Sequence, residues 1–205
     1  MTIGNFDGVH RGHQRLIEHL RSQSQRLQLP TMLMTFEPQP REFFAGAMLP
    51  ARLTRFREKV HLLERTGLDR LLCMPFNDQT SQIPAEWFAE EFLTDLVDAR
   101  YVVIGDDFRF GHERKGDFQL LQNTGARLGY EVISVDTVLQ GGDRVSSTLV
   151  RSTLSAGDFG KAAELLGHEY FIMGRVVYGR QLGRQLGVPT ANVKLQRYRA
   201  ALEGV

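Results

Sequence analysis

The sequence predicts an α/β fold in which a parallel β-sheet is flanked by helices. Short apolar runs alternate with amphipathic stretches through the first two-thirds of the chain, and turn or charged residues bound each run. Strands that are buried on both faces have this composition. Because strand–helix–strand crossovers are right-handed, the alternation favours a parallel sheet, whose ligands bind at the carboxyl ends of the strands.

The apolar runs give the strands. A brief first strand is predicted within Met1 to Asn5, and further strands at residues 32–36, 71–74, 101–104 and 132–135.

The helices are predicted from apolar residues that recur on one face. They run from His13 to Leu27, from a cap at Thr54 through Leu63, and from Pro84 through Leu96. Ser146 and Asp158 are predicted to begin two further helices, and Gly167 ends the second.

Composition and charge are those of an ordinary globular protein. The chain has 205 residues, of which 42% are hydrophobic, and its net charge of +1 argues against a dedicated nucleic-acid-binding protein. The single cysteine, Cys73, excludes an intramolecular disulfide, and no apolar stretch is long enough to span a bilayer. Without a secretory signal, the sequence predicts a cytoplasmic protein with no nucleic-acid or membrane partner, and it leaves the oligomeric state open.

A change in residue composition near Gly167 and His168 predicts a domain boundary. Beyond it the residues are strand-like, and four glycines fall between Gly174 and Gly187, which is typical of a β domain with tight turns. The predicted domains are therefore 1–167 and 168–205. The second is near the size below which a domain rarely folds alone, so it is expected to be a truncated start, and the brief first strand suggests a trimmed beginning as well.

The residues between the first strand and the first long helix have the composition of a phosphate-binding loop. Gly4, Gly8 and Gly12 allow the backbone to approach a ligand, and the helix N-terminus behind them offers free N–H groups. His10 and His13 are three residues apart, so both rings can face one anion. The segment has neither the P-loop nor the dinucleotide-binding pattern, so it predicts a polyphosphate site of another kind.

A second candidate anion site lies at the start of a later helix. Ser146, Ser147 and Thr148 supply hydroxyl and N–H groups there, and Arg151 follows about one turn into the helix. The alternative for this segment alone is an ordinary serine cap with a solvated arginine.

Together these segments resemble one family. Gly-x-Phe-Asp-Gly-x-His-x-Gly-His at residues 4–13 is similar to the motif of the His-x-Gly-His nucleotidyltransferases, and within them to the adenylyltransferase module of the prokaryotic bifunctional riboflavin kinases/FAD synthetases. Residues 35–40 resemble that family's Phe-x-Pro-x-Pro flavin loop, residues 105–111 its Gly-x-Asp/Asn-Phe-x-Phe-Gly element, and residues 146–151 its Ser-Ser-Thr-x-x-Arg nucleotide motif. With the tail, the resemblance covers nearly the whole chain.

The resemblance implies a Rossmann-like nucleotidyltransferase followed by the truncated start of a β-barrel kinase domain. It implies an FMN adenylyltransferase (FAD synthetase) that uses ATP with Mg²⁺ and has FMN as substrate and FAD as product. Its longer parent would also phosphorylate riboflavin, which this fragment is not expected to do. The implied catalytic residues are His10, His13 and Arg151. The implied ATP-binding residues are Gly4, Phe6, Asp7, Gly8, His10, Gly12, His13, Ser146, Ser147, Thr148 and Arg151, and the implied flavin-binding residues are Asn5, Phe36, Pro38, Pro40, Asp107, Phe108 and Phe110.

The tail resembles the opening of the riboflavin kinase barrel. By that resemblance, Thr190 and Asn192 of Pro-Thr-Ala-Asn would help to hold Mg²⁺ and ATP phosphates, because hydroxyl and amide oxygens suit a hard cation. The family's catalytic glutamate lies further downstream, and Glu203 is too near to be it.

Two other functions remain open at this point. One is another nucleotidyltransferase of the superfamily, which would act on phosphopantetheine, nicotinamide mononucleotide or a polyol phosphate. The other is a non-catalytic flavin or nucleotide sensor that uses the same pocket. Locally, Pro38 and Pro40 could also only stiffen a strand exit, and Phe36, Phe108 and Phe110 could be core aromatics.

Overall fold

The computed structural model describes residues 1–45, 50–179, 187–188, 190–197 and 199–202. Its centre is a five-stranded sheet in the order β3-β2-β1-β4-β5, and every neighbouring pair is parallel. The strands are β1 (Thr2–Ile3), β2 (Met32–Glu37), β3 (Arg70–Pro75), β4 (Tyr101–Gly105) and β5 (Glu131–Val135). The predicted α/β fold with a parallel sheet is confirmed.

Helices cover both faces of this sheet. They are α1 (Arg11–Leu27), α2 (Pro40–Ala45), α3 (Phe56–Glu64), α4 (Asp78–Ser81), α5 (Ala85–Trp87), a π-helix (Phe88–Leu96), a 3-10 turn (His112–Arg114), α6 (Phe118–Leu128), α7 (Ser147–Ser155) and α8 (Phe159–Leu166). One face of the sheet packs Ile3, Val102 and Ile104 against Phe88 and Leu121. On the other face, Leu20 of α1 packs against Tyr101 and Val103.

Three sequence predictions need correction. Thr54 does not cap α3, because Arg55 is the N-cap and the Thr54 hydroxyl bonds to Asp7 instead. The helix after Pro84 is short and continues as a π-helix, although it keeps the predicted apolar stripe. Strands β3 and β5 are not fully buried as predicted, because they lie at the two edges of the sheet: Leu71 of β3 is 36% exposed, and Val132 is the one buried residue of β5.

The helix starts at Ser146 and Asp158 are confirmed. Ser146 Oγ accepts a hydrogen bond from the N–H of Leu149, and Asp158 Oδ1 accepts one from the N–H of Lys161. Gly167 ends α8 in the left-handed conformation that glycine adopts easily.

The residues after Gly167 pack back onto α3. A small antiparallel pair, β8 (Arg175–Val177) and β9 (Asn192–Lys194), is exposed, and a second short pair, β6 (Leu139–Gln140) and β7 (Asp143–Arg144), precedes α7. Beyond β9, Arg197 Nη2 donates to both carboxylate oxygens of Glu58, each at 2.8 Å, and both side chains are almost fully buried. Among the described residues, no helix has the length and hydropathy needed to cross a membrane.

Candidate active site

A large cavity lies at the carboxyl edge of the sheet, where the predicted site residues were expected to meet. Its volume is about 970 Å³. The structure brings the following predicted residues into its wall: Gly4, Asn5, Phe6, Asp7, His10, Gly12, His13, Phe36, Pro40, Asp107, Phe108, Phe110, Ser146, Ser147, Thr148 and Arg151. Segments that are distant in the sequence therefore converge on one surface, as the strand-end rule predicts.

The loop between β1 and α1 forms the middle of this wall. Gly8 has φ +84°, and a Cβ there would lie 2.8 Å from Leu53 Cδ1, so both conformation and space require glycine. His10 caps α1 by accepting the His13 N–H at its Nδ1, 3.4 Å away. The two imidazole rings stack with their centroids 3.6 Å apart. The loop thus presents both histidines as one unit.

Burial keeps both histidines neutral near pH 7. It lowers the pKa of His10 to about 4, a shift that the nearby Asp7 carboxylate opposes. Burial also takes the pKa of His13 well below its usual value, and the neighbouring His10 and Lys59 add to the effect. Because His10 Nδ1 is an acceptor, the neutral ring carries its proton on Nε2. His13 Nδ1 is buried and has no hydrogen-bond partner among the described residues.

The Asp7 carboxylate joins the loop to the rest of the site. It is 2% exposed, and its oxygens accept hydrogen bonds from the N–H groups of Leu53 and Thr54 and from the Thr54 hydroxyl. Arg151 Nη2 donates to it at 2.6 Å. Direct contact between Asp7 and ATP remains a prediction, whereas its role in holding these segments together is visible in the structure.

Helix α7 brings the second predicted anion site beside the first. The Ser147 hydroxyl donates to the carbonyl of Asp7 at 3.0 Å, which fixes the start of α7 against the loop. Arg151 Nε donates to the carbonyl of Ala51 at 2.6 Å. The guanidinium is therefore held on two sides while it lines the cavity, and it is not a solvated arginine.

Both loops that were predicted to bind the flavin line the cavity. The loop after β4 crosses to the segment after β3, where the His112 N–H donates to the carbonyl of Ile83 at 2.7 Å. Phe108 stacks on Phe110 with ring centroids 5.6 Å apart, and Phe110, which is 8% exposed, packs on Phe88. Phe110 therefore belongs to the core and to the cavity wall at once.

Some predicted residues lie elsewhere. Gly8 and Pro38 do not line the cavity, although both shape loops that do. Asp107 does line the cavity, but its side chain is largely exposed and forms an ion pair with Arg144, at 2.9 Å. Thr190 and Asn192 lie in the exposed tail, where Asn192 pairs with Val177. Pro189 and Glu203 lie outside the described residues.

Sequence reasoning missed several residues of the site. Phe44 and Phe76 line the cavity, and their rings are 5.8 Å apart in an edge-on arrangement. Gln39 is a third lining residue. Phe76 directly follows β3, so its position at a strand's carboxyl end was a usable signal, and Gln39 stands between the two prolines that were singled out. For Phe44 no comparable signal exists, because it lies in a short helix.

Lys59 is a buried cation beneath the loop. It is fully buried in α3, and its Nζ donates to Thr35 Oγ1 at 3.1 Å. Thr35 in turn donates to the carbonyl of Asn5 at 3.2 Å. Burial lowers the pKa of Lys59. The predicted flavin-binding Asn5 thus lies at the end of a hydrogen-bond chain that starts in α3.

Comparison with known proteins agrees with this geometry. The family model for FAD synthetase matches residues 1–149, and that for riboflavin kinase matches residues 166–205. The chain is 46% identical over 205 residues to the bifunctional riboflavin kinase/FMN adenylyltransferase of Escherichia coli (strain K12), and 47% identical over 204 residues to that of Pseudomonas fluorescens. These matches cover 100% of this chain but 66% and 65% of the relatives, respectively, so the chain spans about two-thirds of their length.

A solved structure shares the fold. The crystal structure named Macrolide-efflux Protein from Streptococcus pneumoniae superposes with a TM-score of 0.79 at 30% identity, covering 95% of this chain and 64% of that one. The match of the FAD synthetase model to most of the chain, through the same loops that line the cavity, shows that this chain belongs to the FAD synthetase family.

Proposed function

We propose that this protein transfers the adenylyl group of ATP to FMN, giving FAD and pyrophosphate. The observation that carries the proposal is the single cavity in which the stacked His10–His13 pair and the start of α7 face an aromatic wall from the loops after β2, β3 and β4. The first part suits a polyphosphate and the second a flat ring system. Family membership and the names of the relatives support the same reaction.

In this reaction an oxygen of the FMN phosphate attacks the α-phosphorus of ATP. A bond forms between that oxygen and the phosphorus, and the bond to the bridging oxygen of pyrophosphate breaks. A phosphate monoester is largely dianionic at pH 7, so no general base is needed to create the nucleophile. The site has to align the reactants and stabilise the charge that develops on the α-phosphoryl oxygens and the leaving group.

The neutral histidines suit that task. His10 offers an Nε2–H donor, and stacking holds His13 beside it, so the pair can donate to phosphate oxygens without giving up a proton. Arg151 supplies the positive charge. Its orientation is set by Asp7 and by the carbonyl of Ala51, which makes Asp7 a positioning residue in this proposal.

The aromatic side of the cavity would hold the flavin. Phe36, Phe44, Phe76 and Phe108 supply apolar ring faces, and stacked or edge-on aromatic contacts stabilise a flat heterocycle. Asn5 and Asp107 line the same cavity and would supply polar contacts to the flavin.

Mg²⁺ is proposed to enter with ATP. Among the residues that the structure describes, no group of three or more His, Cys, Asp or Glu side chains is placed to hold a metal ion. In this proposal the cation is carried mainly by the phosphates of ATP, as Mg²⁺ often is. When bound, it would neutralise charge on the phosphates. Thr190 and Asn192 remain the proposed Mg²⁺ and ATP residues of the tail.

The remaining assignments follow from the same family. We assign residues 1–167 to the adenylyltransferase and 168–205 to the start of a riboflavin kinase domain, and we assign the phosphorylation of riboflavin to longer proteins like the bifunctional relatives. ATP and FMN are cytoplasmic metabolites, so the reaction belongs in the cytoplasm.

The proposal is tested by offering several acceptors to the protein with ATP and Mg²⁺. FMN, riboflavin, phosphopantetheine and nicotinamide mononucleotide are incubated separately, and products are resolved chromatographically while pyrophosphate is measured. FAD and pyrophosphate in equal amounts, from FMN alone, support the proposal. A preference for another acceptor would favour a different nucleotidyltransferase, and tight binding of FMN and ATP without pyrophosphate release would favour a sensor.

A further inference from the structure

The segment of residues 51–54, which lies just before α3 in the chain, holds two of the proposed site residues. The carbonyl of Ala51 accepts a hydrogen bond of 2.6 Å from Arg151 Nε. The N–H and the hydroxyl of Thr54 donate to the Asp7 carboxylate at 2.9 and 3.1 Å, and that carboxylate in turn pairs with Arg151. The position of this segment therefore determines the orientation of the Arg151 guanidinium.

A second arginine, Arg197, binds the same segment. Its Nη1 donates to the carbonyl of Arg52 at 3.3 Å and to the hydroxyl of Tyr170 at 3.2 Å. Its Nη2 donates to both carboxylate oxygens of Glu58, which lies in the first turn of α3. The Arg197 guanidinium thus contacts residues 51–54 and also the helix turn that follows them in the chain.

The ion pair between Arg197 and Glu58 is a rigid attachment. The two side chains are 2% and 0% exposed. The Glu58 carboxylate also accepts the N–H of Arg55, at 2.7 Å, and the N–H of Met173, at 2.8 Å. A buried ion pair whose oxygens are used by further donors has one favoured geometry, and removal of one partner leaves an uncompensated buried charge. The pair therefore fixes the start of α3.

This contact joins two parts of the chain that match different enzymes. The FAD synthetase model matches residues 1–149 and the riboflavin kinase model matches residues 166–205, so Arg197 belongs to the second part. Apolar packing joins the same two parts, because Ala201, which is 6% exposed, lies in one buried cluster with Leu53. The segment that holds the candidate adenylyl-transfer site is therefore itself held by residues of the kinase-like part.

We propose that Arg197 is a positioning residue for adenylyl transfer, which holds residues 51–54 so that Arg151 meets the phosphates of ATP in the required orientation. The inference rests on the proposed function, because it requires that reaction in this cavity. Arg197 is not among the residues that line the cavity, so it acts through Ala51 and Asp7 and not on the substrate. A displacement of about 1 Å, caused far from the reacting atoms, can lower a rate by about 100-fold.

The first test compares the kinetics of FAD formation at equal concentrations of folded protein. Arg197→Met should lower kcat by about 10- to 100-fold and leave the KM for FMN within about threefold of wild type, because the contact aligns the phosphates and does not touch the flavin. Arg55→Met is the matched control. Arg55 Nη1 also joins the start of α3 to the tail, at the Leu195 carbonyl and at Gln196 Oε1, but it does not contact residues 51–54.

The control should keep kcat within about twofold of wild type. A kcat within about twofold of wild type in Arg197→Met, or an equal loss in Arg55→Met, would overturn the proposal.

The second test separates positioning from a general structural effect. Arg197→Met is introduced into the Arg151→Met variant, which no longer has the guanidinium that is to be positioned. If Arg197 acts through Arg151, the double variant should have the kcat of Arg151→Met within about twofold, because effects on one shared group are not additive. The same fall in kcat in both backgrounds would contradict the proposal.

A further variant covers the case in which Arg197→Met does not fold. Glu58→Gln combined with Arg197→Met leaves no unpaired charge buried at this site, and replacing both partners is tolerated far better than removing one. Its kcat should still be about 10- to 100-fold low, because the contact to the Arg52 carbonyl is missing. Wild-type kcat in this folded double variant would overturn the proposal. If the wild type itself makes no FAD, the proposed function fails instead, so the two failures are distinguishable.

Discussion

The pair formed by Asp7 and Arg151 offers a quantitative test of how the site is held together. Asp7→Asn keeps the shape of the side chain but replaces one carboxylate oxygen by an NH₂ group. In the wild type, one oxygen accepts from the N–H and hydroxyl of Thr54, and the other accepts from the Leu53 N–H at 3.2 Å and from Arg151 at 2.6 Å. An amide can satisfy the first oxygen's donors, but its NH₂ group then faces two donors.

The expected loss of stability follows from those two contacts. A hydrogen bond to a charged group contributes about 1.5–3 kcal/mol, and removing one partner of a buried ion pair costs about 3–5 kcal/mol. We therefore expect Asp7→Asn to lower the free energy of unfolding by about 3–5 kcal/mol. Arg151→Met should cost less, about 2–3 kcal/mol, because Asp7 keeps its other donors and the Arg151 side chain is 19% exposed.

The assay is urea unfolding of both single variants and the double variant without ligand, with linear extrapolation to zero urea. Because the residues are in contact, the double variant should be at least about 1 kcal/mol more stable than the sum of the single losses predicts. Arg15→Met is a control for loss of an arginine, because the ion pair of Arg15 with Glu18, at 3.9 Å, is exposed on both sides. Its effect should stay below about 0.5 kcal/mol. Single losses under 1 kcal/mol that add without coupling would refute the structural role assigned to Asp7.

Three further predictions concern the histidines and the aromatic wall. His13→Ala should reduce turnover by about 10²- to 10³-fold, the scale for loss of one transition-state donor, with FMN affinity little changed; wild-type turnover would remove His13 from the reaction. Burial lowers the pKa of His10 to about 4 in the folded protein, against about 6.5 in the unfolded chain. As the pH falls, the unfolded state therefore binds the extra proton first, and the free energy of unfolding should drop by up to about 3 kcal/mol between about pH 6.5 and 4. His10→Gln should flatten this part of the pH dependence in a series of urea unfolding curves. An unchanged slope would contradict the assignment of this effect to His10. Phe44→Ala should weaken FMN binding more than ATP binding in parallel titrations. A larger loss of ATP affinity would mean that the flavin and nucleotide sides of the cavity are assigned the wrong way round.

Local sequence patterns were enough to predict the sheet, because each of its longer strands is a short run of apolar residues. The runs at β2 and β4 are apolar because these strands lie inside the sheet, and the strand ends then place the loops correctly. The burial of β3 and β5 was overestimated, because apolar composition does not tell an edge strand from a central one. The prediction that Thr54 caps a helix was also wrong because it was made from local sequence alone. The Thr54 hydroxyl bonds to Asp7, which lies 47 residues away in the chain.

The candidate site shows the same division. The loop containing His10 and His13 was predicted from its glycines and histidines, because a phosphate-binding loop has a compact sequence pattern. The ion pair between Asp7 and Arg151 spans 144 residues, and no spacing rule connects them. Gln39 and Phe44 line the cavity, but no local sequence pattern predicts that. Which side chains of a short segment turn towards a cavity depends on how the segment packs in the folded protein.

The central claim is that the adenylyl group of ATP is transferred to FMN. It is tested most directly by following the phosphorus atoms of ATP. The protein is incubated with FMN and Mg²⁺ and either α-labelled or γ-labelled ATP, and the flavins and pyrophosphate are separated. Adenylyl transfer predicts that the α label appears in FAD and the γ label in pyrophosphate, in equal amounts, and that His13→Ala loses both together. A γ label in any flavin, or no labelled flavin from a preparation that binds both substrates, would contradict the account.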